Sequence, residues 1–133
     1  MAQQKHFALR RRVWNGVLDG CHPKPEAHFC IAIEEGEAWF LGDILAVRTA
    51  YPKAENAVLD SYINDSICGT WEKLADAVHP GGSTALYNKG WQAIGEEKSK
   101  WADAIAPHMN VTVNNSPSFR YFLETIQELI QVN

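Results

Sequence analysis

The sequence predicts a mainly α-helical protein, a single compact bundle of five to six helices joined by short loops. Apolar residues recur along much of the chain at the three- and four-residue spacing that places them on one face of a helix. Glycine, proline and capping residues interrupt this spacing at intervals, as they do where helices begin and end. The chain has 133 residues and no repeat or long linker, so we expect residues 1–133 to form one domain.

The first predicted helix covers HFALRRRVWNGVLDG, residues 6–20. Leu9, Val13 and Val17 follow one another at intervals of four residues and form an apolar stripe. Gly20 stands where a left-handed C-cap would end the helix. The pattern therefore indicates an amphipathic helix at the start of the chain.

This helix also carries the one basic cluster of the sequence, Arg10, Arg11 and Arg12. Such side chains can contact phosphate groups of a nucleic acid. Three consecutive residues fan around a helix, however, and cannot share one face. Because the chain as a whole is acidic, a solvated helix face is the favoured interpretation, and nucleic acid is not the expected partner.

Residues 25–52 have two interpretations. Apolar spacing favours a helix over residues 37–50 and leaves residues 28–35 undecided. Alternatively, FCIAI and AWFLG could be two short strands on either side of a turn at EEGE. The fold would then be α+β, with a small hairpin around residues 28–41.

The second half of the chain gives clearer helical patterns. Ser116 followed by Pro117 is typical of a helix start, because proline is favoured at the first helical position. Residues 110–114, NVTVN, are predicted to be extended. The predicted helices are 54–67, 70–78, a long helix 83–106 with a polar interruption at GEEKSK, and 117–132.

The chain contains five tryptophans, which is many for its length. Trp14, Trp71 and Trp91 lie on apolar stripes and are expected to anchor the core. Trp39 and Phe40 belong to an apolar triplet that cannot all face inward from one helix. Trp101 follows the polar sequence KSK. Because tryptophan is enriched at interface hot spots, we predict a protein-binding surface at Trp39, Phe40 and Trp101.

Four acidic residues are concentrated in IEEGEAWFLGDIL, namely Glu34, Glu35, Glu37 and Asp43. This stretch resembles the glutamate-rich helices of the all-α nucleotide pyrophosphohydrolases. The resemblance implies an enzyme that holds Mg²⁺ through these carboxylates. It departs from the family's Glu-Glu-x-x-Glu pattern, because position 38 is alanine. A solvated acidic helix start is the simpler interpretation, since acids are favoured there.

The segment DGCHPKPEAHFC raises the possibility of a metal or redox site formed by Cys21, His22, His28 and Cys30. Adjacent Cys21 and His22 are poorly spaced for joint ligation. His28 and Cys30 would share a face only on a strand. The expected alternative is that both thiols are small buried groups and both histidines are loop residues, so no metal is predicted.

The formal net charge of −4 and the pI near 5.7 exclude a general binder of nucleic acids or anionic membranes. No catalytic triad, metal-ligand or cofactor motif stands out, so binding is favoured over catalysis. We therefore expect a cytoplasmic protein, without cofactor, that binds another protein of basic character. An immunity protein, an antitoxin-like inhibitor or a phage-encoded inhibitor fits this description. The alternatives are the Mg²⁺-dependent hydrolase and a structural subunit that forms homo-oligomers.

Overall fold

The computed structural model describes residues 2–66 and 68–131, with the side chains of residues 2–7 and 10 left out of the description. These residues are mainly helical, which confirms the predicted fold class, and no β-strand occurs among them. The count of five to six helices is not confirmed, because the described residues form eight α-helices and a short 3-10 helix at Ala106–His108. The helices are α1 (Ala2–Asp19), α2 (Glu37–Leu41), α3 (Ile44–Ala50), α4 (Asn56–Asp60), α5 (Thr70–Val78), α6 (Gly82–Lys89), α7 (Trp91–Ile105) and α8 (Pro117–Gln131).

The predicted helix over residues 37–50 is two helices, α2 and α3. Asp43 adopts a non-helical conformation between them, and its side chain accepts a hydrogen bond of 3.1 Å from the backbone N–H of Ala46. This is the contact of an N-cap, which starts a new helix. The predicted helix over residues 83–106 is likewise divided, at Gly90.

The alternative hairpin around residues 28–41 does not form. Residues 28–35 are neither helix nor strand, and α2 occupies the second half of the proposed hairpin. Glu34 has a positive φ of 67° and its carboxylate accepts hydrogen bonds from the backbone N–H groups of Gly69 and Thr70. The Glu34 side chain therefore caps the start of α5, and this contact, rather than strand pairing, holds the segment in place.

Two other predicted elements are shorter or differently folded. Of the predicted helix 54–67, only Asn56–Asp60 is α-helical among the described residues. Residues 110–114 form a turn rather than an extended segment, since the N–H of Val113 donates to the carbonyl of Asn110 over 3.1 Å. The Asn110 side chain also accepts from the N–H of Thr112, a local bond that competes with extended structure.

The core lies among α2, α3, α4, α5, α6 and α7. Helix α5 contacts α2, α4 and α6, and α6 in turn contacts α7. Helices α5 and α7 each contribute a tryptophan to the core. The buried core residues are Leu41, Ala46, Val47, Leu59, Tyr62, Trp71, Leu74, Ala75, Ala77, Leu86, Ile94, Trp101 and Ile105.

Helix α8 begins where predicted, at Pro117, and a buried polar network holds that end. The hydroxyl of Ser116 accepts from the N–H of Phe119 and donates to the carboxylate of Asp65 at 2.9 Å. The same carboxylate accepts from the N–H of Ser118 at 2.7 Å. Asp65 thereby adds a negative charge to the N-terminus of α8, where the helix dipole favours it.

The loop before α8 packs closely on Gly42. The carbonyl of Gly42 accepts from the N–H of Asn115 at 2.8 Å, and the Asn114 amide donates to the carbonyl of Trp39 at 2.8 Å. A side-chain carbon at position 42 would lie only 2.1 Å from Oδ1 of Asn114. Glycine is needed here for close approach rather than for an unusual backbone conformation.

Helix α1 makes few contacts with the other helices. Trp14 stacks on Phe29 with ring centroids 5.5 Å apart. The predicted apolar stripe of Leu9, Val13 and Val17 lies beside Trp14, and each of the three is more than half exposed. Trp14 was expected to anchor the core, but it is 48 % exposed, so this prediction is wrong. Among the described residues, neither α1 nor any other helix has the length and hydrophobicity needed to cross a bilayer.

Candidate protein-binding surface

The tryptophan predicted at a surface in α7 is instead a core residue. Trp101 is 1 % exposed and belongs to the core cluster. The polar sequence before it faces outward on other sides of the helix, where Lys100 is exposed. Trp101 therefore does not belong to a binding surface, because its indole points from α7 into the core.

Trp39 and Phe40 also pack against other parts of the protein. The Trp39 indole donates to the hydroxyl of Ser118 at 2.9 Å, stacks on Phe122 at 5.0 Å and meets the edge of Phe119 at 5.5 Å. Trp39 thus anchors α8 to α2. Phe40 is half-buried against the core cluster. The prediction that these residues form a free surface is not supported by their contacts.

The large exposed aromatic surface lies instead where α6 meets α7. Trp91 is 76 % exposed and Tyr87 is 47 % exposed. Their ring centroids are 6.1 Å apart in an edge-to-face arrangement, and Tyr87 makes a similar contact with buried Trp71 at 5.0 Å. The three rings form a series from the core to solvent, so the two outer rings rest on a fixed base. We call Glu72, Tyr87 and Trp91 the Tyr87–Trp91 surface.

Gly90 explains why Trp91 faces solvent. Gly90 has φ 91° and ψ 172°, a conformation that residues with a side chain rarely adopt. Its N–H donates to the carbonyls of Leu86 and Tyr87, which ends α6, and its carbonyl accepts from Ile94, which begins α7. The break changes the direction of the chain, so Ile94 enters the core while Trp91 remains outside.

The acidic group of this surface is Glu72. The Tyr87 hydroxyl donates to Oε1 of Glu72 at 2.8 Å. This hydrogen bond, with partial burial and the charges of Glu72 and Glu35, raises the pKa of Tyr87 above its ordinary value. The other oxygen of Glu72 is buried without a hydrogen-bond partner, and Glu72 forms no ion pair with another described residue. No described cation offsets its charge, and Oε1, rather than the buried oxygen, is the atom that an approaching cation would meet.

Comparisons with protein-family models, curated proteins and solved structures gave no match for this chain. Function must therefore be argued from this chain's own residues.

The four carboxylates predicted as an Mg²⁺ site do not form one. Glu34 caps α5 and Asp43 caps α3, as described above, and Asp43 also accepts from the N–H of Asn110 at 2.8 Å. Glu35 and Glu37 both contact the amine of Lys98, at 2.9 Å and 3.3 Å. Each carboxylate thus has a structural partner, and the described residues contain no group of three or more His, Cys, Asp or Glu side chains suited to a metal ion.

Lys98 is shared unequally between its two acids. Partial burial lowers the pKa of Lys98, but the Glu35 hydrogen bond and the charges of Glu37 and Glu35 outweigh it and raise the pKa overall. Burial raises the pKa of Glu37 above its ordinary value of 4.5, and Lys98 only partly offsets this. The ionised form of Glu37 is therefore destabilised by burial more than it is stabilised by Lys98.

We expect Glu37→Gln to be at least as stable as the wild-type protein at pH about 7. A raised pKa means that the native state binds the proton more tightly, so wild-type stability falls as the pH rises through that pKa. The advantage of Glu37→Gln should shrink as the pH falls toward 4.5, where wild-type Glu37 becomes protonated. Urea denaturation across this range measures the difference. The exposed substitution Glu96→Gln is the control, and an equal pH response in both variants would contradict the account.

The cysteine and histidine cluster does not come together as a site. Cys21, Cys30 and Cys68 are free thiols, and Cys21 and Cys30 are half-buried rather than buried as expected. Cys21 lies at the end of α1 and its thiol points to the carbonyl of Val17 at 3.5 Å. Cys30 is half-buried and faces α8 across an open groove.

Of the three arginines, the structure describes the side chains of Arg11 and Arg12. The guanidinium of Arg11 lies 4.2 Å from the centre of the Tyr121 ring. Arg12 is exposed, and the side chain of Arg10 lies outside the described residues. Arg11, Arg12 and Tyr121 help to line an open cavity of about 680 Å³ between α1, residues 27–29 and α8. The structure thus directs Arg11 toward α8, whereas Arg12 is exposed at the rim of the cavity, and the prediction of phosphate contact remains a hypothesis.

The sequence interpretation missed Trp91 because it extended one helical stripe through Gly90. A signal was present: glycine directly before the tryptophan, with lysine before it, is typical of a helix end followed by a new start. Glu72 had no comparable signal, because its bond to Tyr87 joins two helices.

Proposed function

We propose that this chain is a binding protein that recognises a basic, partly apolar segment of another protein through the Tyr87–Trp91 surface. The observation that carries the proposal is the 76 % exposure of Trp91 beside Tyr87 on a rigid aromatic base. Exposed indole is costly in water, and tryptophan and tyrosine dominate the energetics of protein interfaces.

The charge of the partner follows from Glu72, which accepts a hydrogen bond from Tyr87. A lysine or arginine side chain over an indole face gains a cation–π interaction of about 0.5–2 kcal/mol. The unneutralised carboxylate of Glu72 attracts the same cation. The partner should therefore present basic groups together with apolar ones.

The proposed mode of action is occlusion of the partner rather than chemistry on it. Each acid of the pyrophosphohydrolase resemblance has a structural partner, which favours binding over a metal-dependent reaction. Inhibitors of the immunity or antitoxin kind, and phage-encoded inhibitors, act by such occlusion. This specific role is a proposal that rests on the binding surface alone.

Calorimetric titration with an amphipathic leucine–lysine peptide tests the proposal. We expect Trp91→Ala to weaken binding by about tenfold or more, as the loss of a hot-spot residue does. Leu45→Ala is the control, because Leu45 is similarly exposed on α3 and lies outside the proposed surface. A leucine–glutamate peptide should not bind. Equal affinity of Trp91→Ala and the wild-type protein for the basic peptide would contradict the proposal.

A further inference from the structure

The apolar stripe of α1 is a second surface without a partner. Leu9, Val13 and Val17 are each more than half exposed, although Trp14 beside them on the helix is stacked on Phe29. Aliphatic residues at intervals of four on one helix face are what a helix presents when it docks on a protein surface. The apolar stripe of α1 and the Tyr87–Trp91 surface are thus both exposed in the same chain.

Charge indicates which surface suits this helix. Residues 1–20 contain four basic residues and one acidic residue, whereas the rest of the chain contains eight basic and fifteen acidic residues. The helix therefore has a net charge of +3 and the remainder −7, with histidine neutral. Two copies of α1 would repel each other, so symmetric pairing of α1 with α1 is disfavoured. An acidic surface of a second copy is the complementary partner.

We propose that α1 of one copy docks through Leu9, Val13 and Val17 on the Tyr87–Trp91 surface of a second copy. This inference rests on the proposed function and names the basic segment as the chain's own first helix. Arg12 is exposed and has no ion-pair partner among the described residues, so it can approach the carboxylate of Glu72 on the other copy.

The contact joins two different surfaces, so it is head-to-tail. Each copy donates α1 and also accepts the α1 of a neighbour. Both surfaces are exposed within one chain, which shows that a single copy does not satisfy them internally. Contacts of this kind build rings or open chains rather than stopping at a symmetric dimer. We therefore expect the mass of the wild-type protein to increase with concentration.

Two variants that each lose one side of the contact provide the test. Val13→Asp places an acid on the donor helix, and Trp91→Arg places a base on the acceptor surface. Both positions are exposed, so both variants should fold, and circular dichroism checks their helix content. Each variant alone should remain monomeric in sedimentation velocity. An equimolar mixture should form a 1:1 dimer that does not grow, because it contains one intact donor and one intact acceptor.

Leu45→Asp is the control for an added charge at an exposed apolar position, and it should assemble as the wild-type protein does. A wild-type chain that stays monomeric at high concentration would overturn the inference and assign the α1 stripe to a different occupant. A mixture that stays monomeric would overturn it equally. If the leucine–lysine peptide still binds at Trp91 in these cases, the proposed function stands and only the identity of the partner fails.

Discussion

Trp101→Ala is expected to lower the free energy of unfolding by about 3–5 kcal/mol, the range found when large aromatic residues are removed from a core. The indole is 1 % exposed and lies in the core cluster with Leu74, Leu86 and Ile105. Its removal forfeits apolar burial and leaves a cavity that the surrounding helices can fill only partly. Urea denaturation followed by circular dichroism measures the loss.

Trp91→Ala is the matched control, because the same residue type is removed from the same helix. Trp91 is 76 % exposed, so its loss should change the free energy of unfolding by no more than about 0.5 kcal/mol. Similar destabilisation by the two substitutions would contradict the exposed position of Trp91 at the start of α7.

Gly42→Ala is expected to lower the free energy of unfolding by about 1–3 kcal/mol, the usual effect of overpacking. The new carbon would lie 2.1 Å from Oδ1 of Asn114 and 2.8 Å from Cβ of Ser116. Gly42 has an ordinary helical conformation, with φ −67° and ψ −22°, so backbone strain does not enter. Relief of the clash must displace Asn114, which bonds the carbonyl of Trp39. The loop that starts α8 should therefore loosen as well.

Gly95→Ala separates this steric effect from the ordinary preference of helices for alanine. Gly95 lies within α7, and no atom would come within 4 Å of an added carbon there. Alanine at such a position should stabilise the protein by up to about 1 kcal/mol. Opposite signs at positions 42 and 95 are the expected result in thermal or urea denaturation. Stabilisation by both substitutions would show that the loop before α8 does not pack on Gly42.

The sequence predicts the helices whose limits are set by local contacts. Ser116 and Pro117 mark the start of α8 because the cap and the proline act within one turn. Glycine is costly within a helix, and the structure shows that α2 ends at Gly42 and that Asp43 caps a new helix directly after it. The cap that makes this break, Asp43 on Ala46, is also local. Its signal was present, but the apolar spacing on both sides concealed it.

The site was less predictable because its parts meet over long distances in sequence. The partner of Glu34 is 36 residues away at Thr70, and no pattern of residue types identifies that pair. The same carboxylates therefore looked available for Mg²⁺. The exposure of Trp91 depends on the direction that α7 takes after Gly90. The spacing of apolar residues does not predict this direction, because it was counted as if one helix continued through Gly90.

The response of the tryptophan indole N–H signals to the leucine–lysine peptide tests the central claim most directly. The chain has five tryptophans, and the signal missing from Trp91→Phe identifies Trp91 in ¹⁵N-labelled protein. We predict that the Trp91 signal shifts most and saturates with the binding isotherm, while the signal of buried Trp101 does not move. A Trp91 signal that stays fixed while the peptide binds would contradict the assignment of this surface.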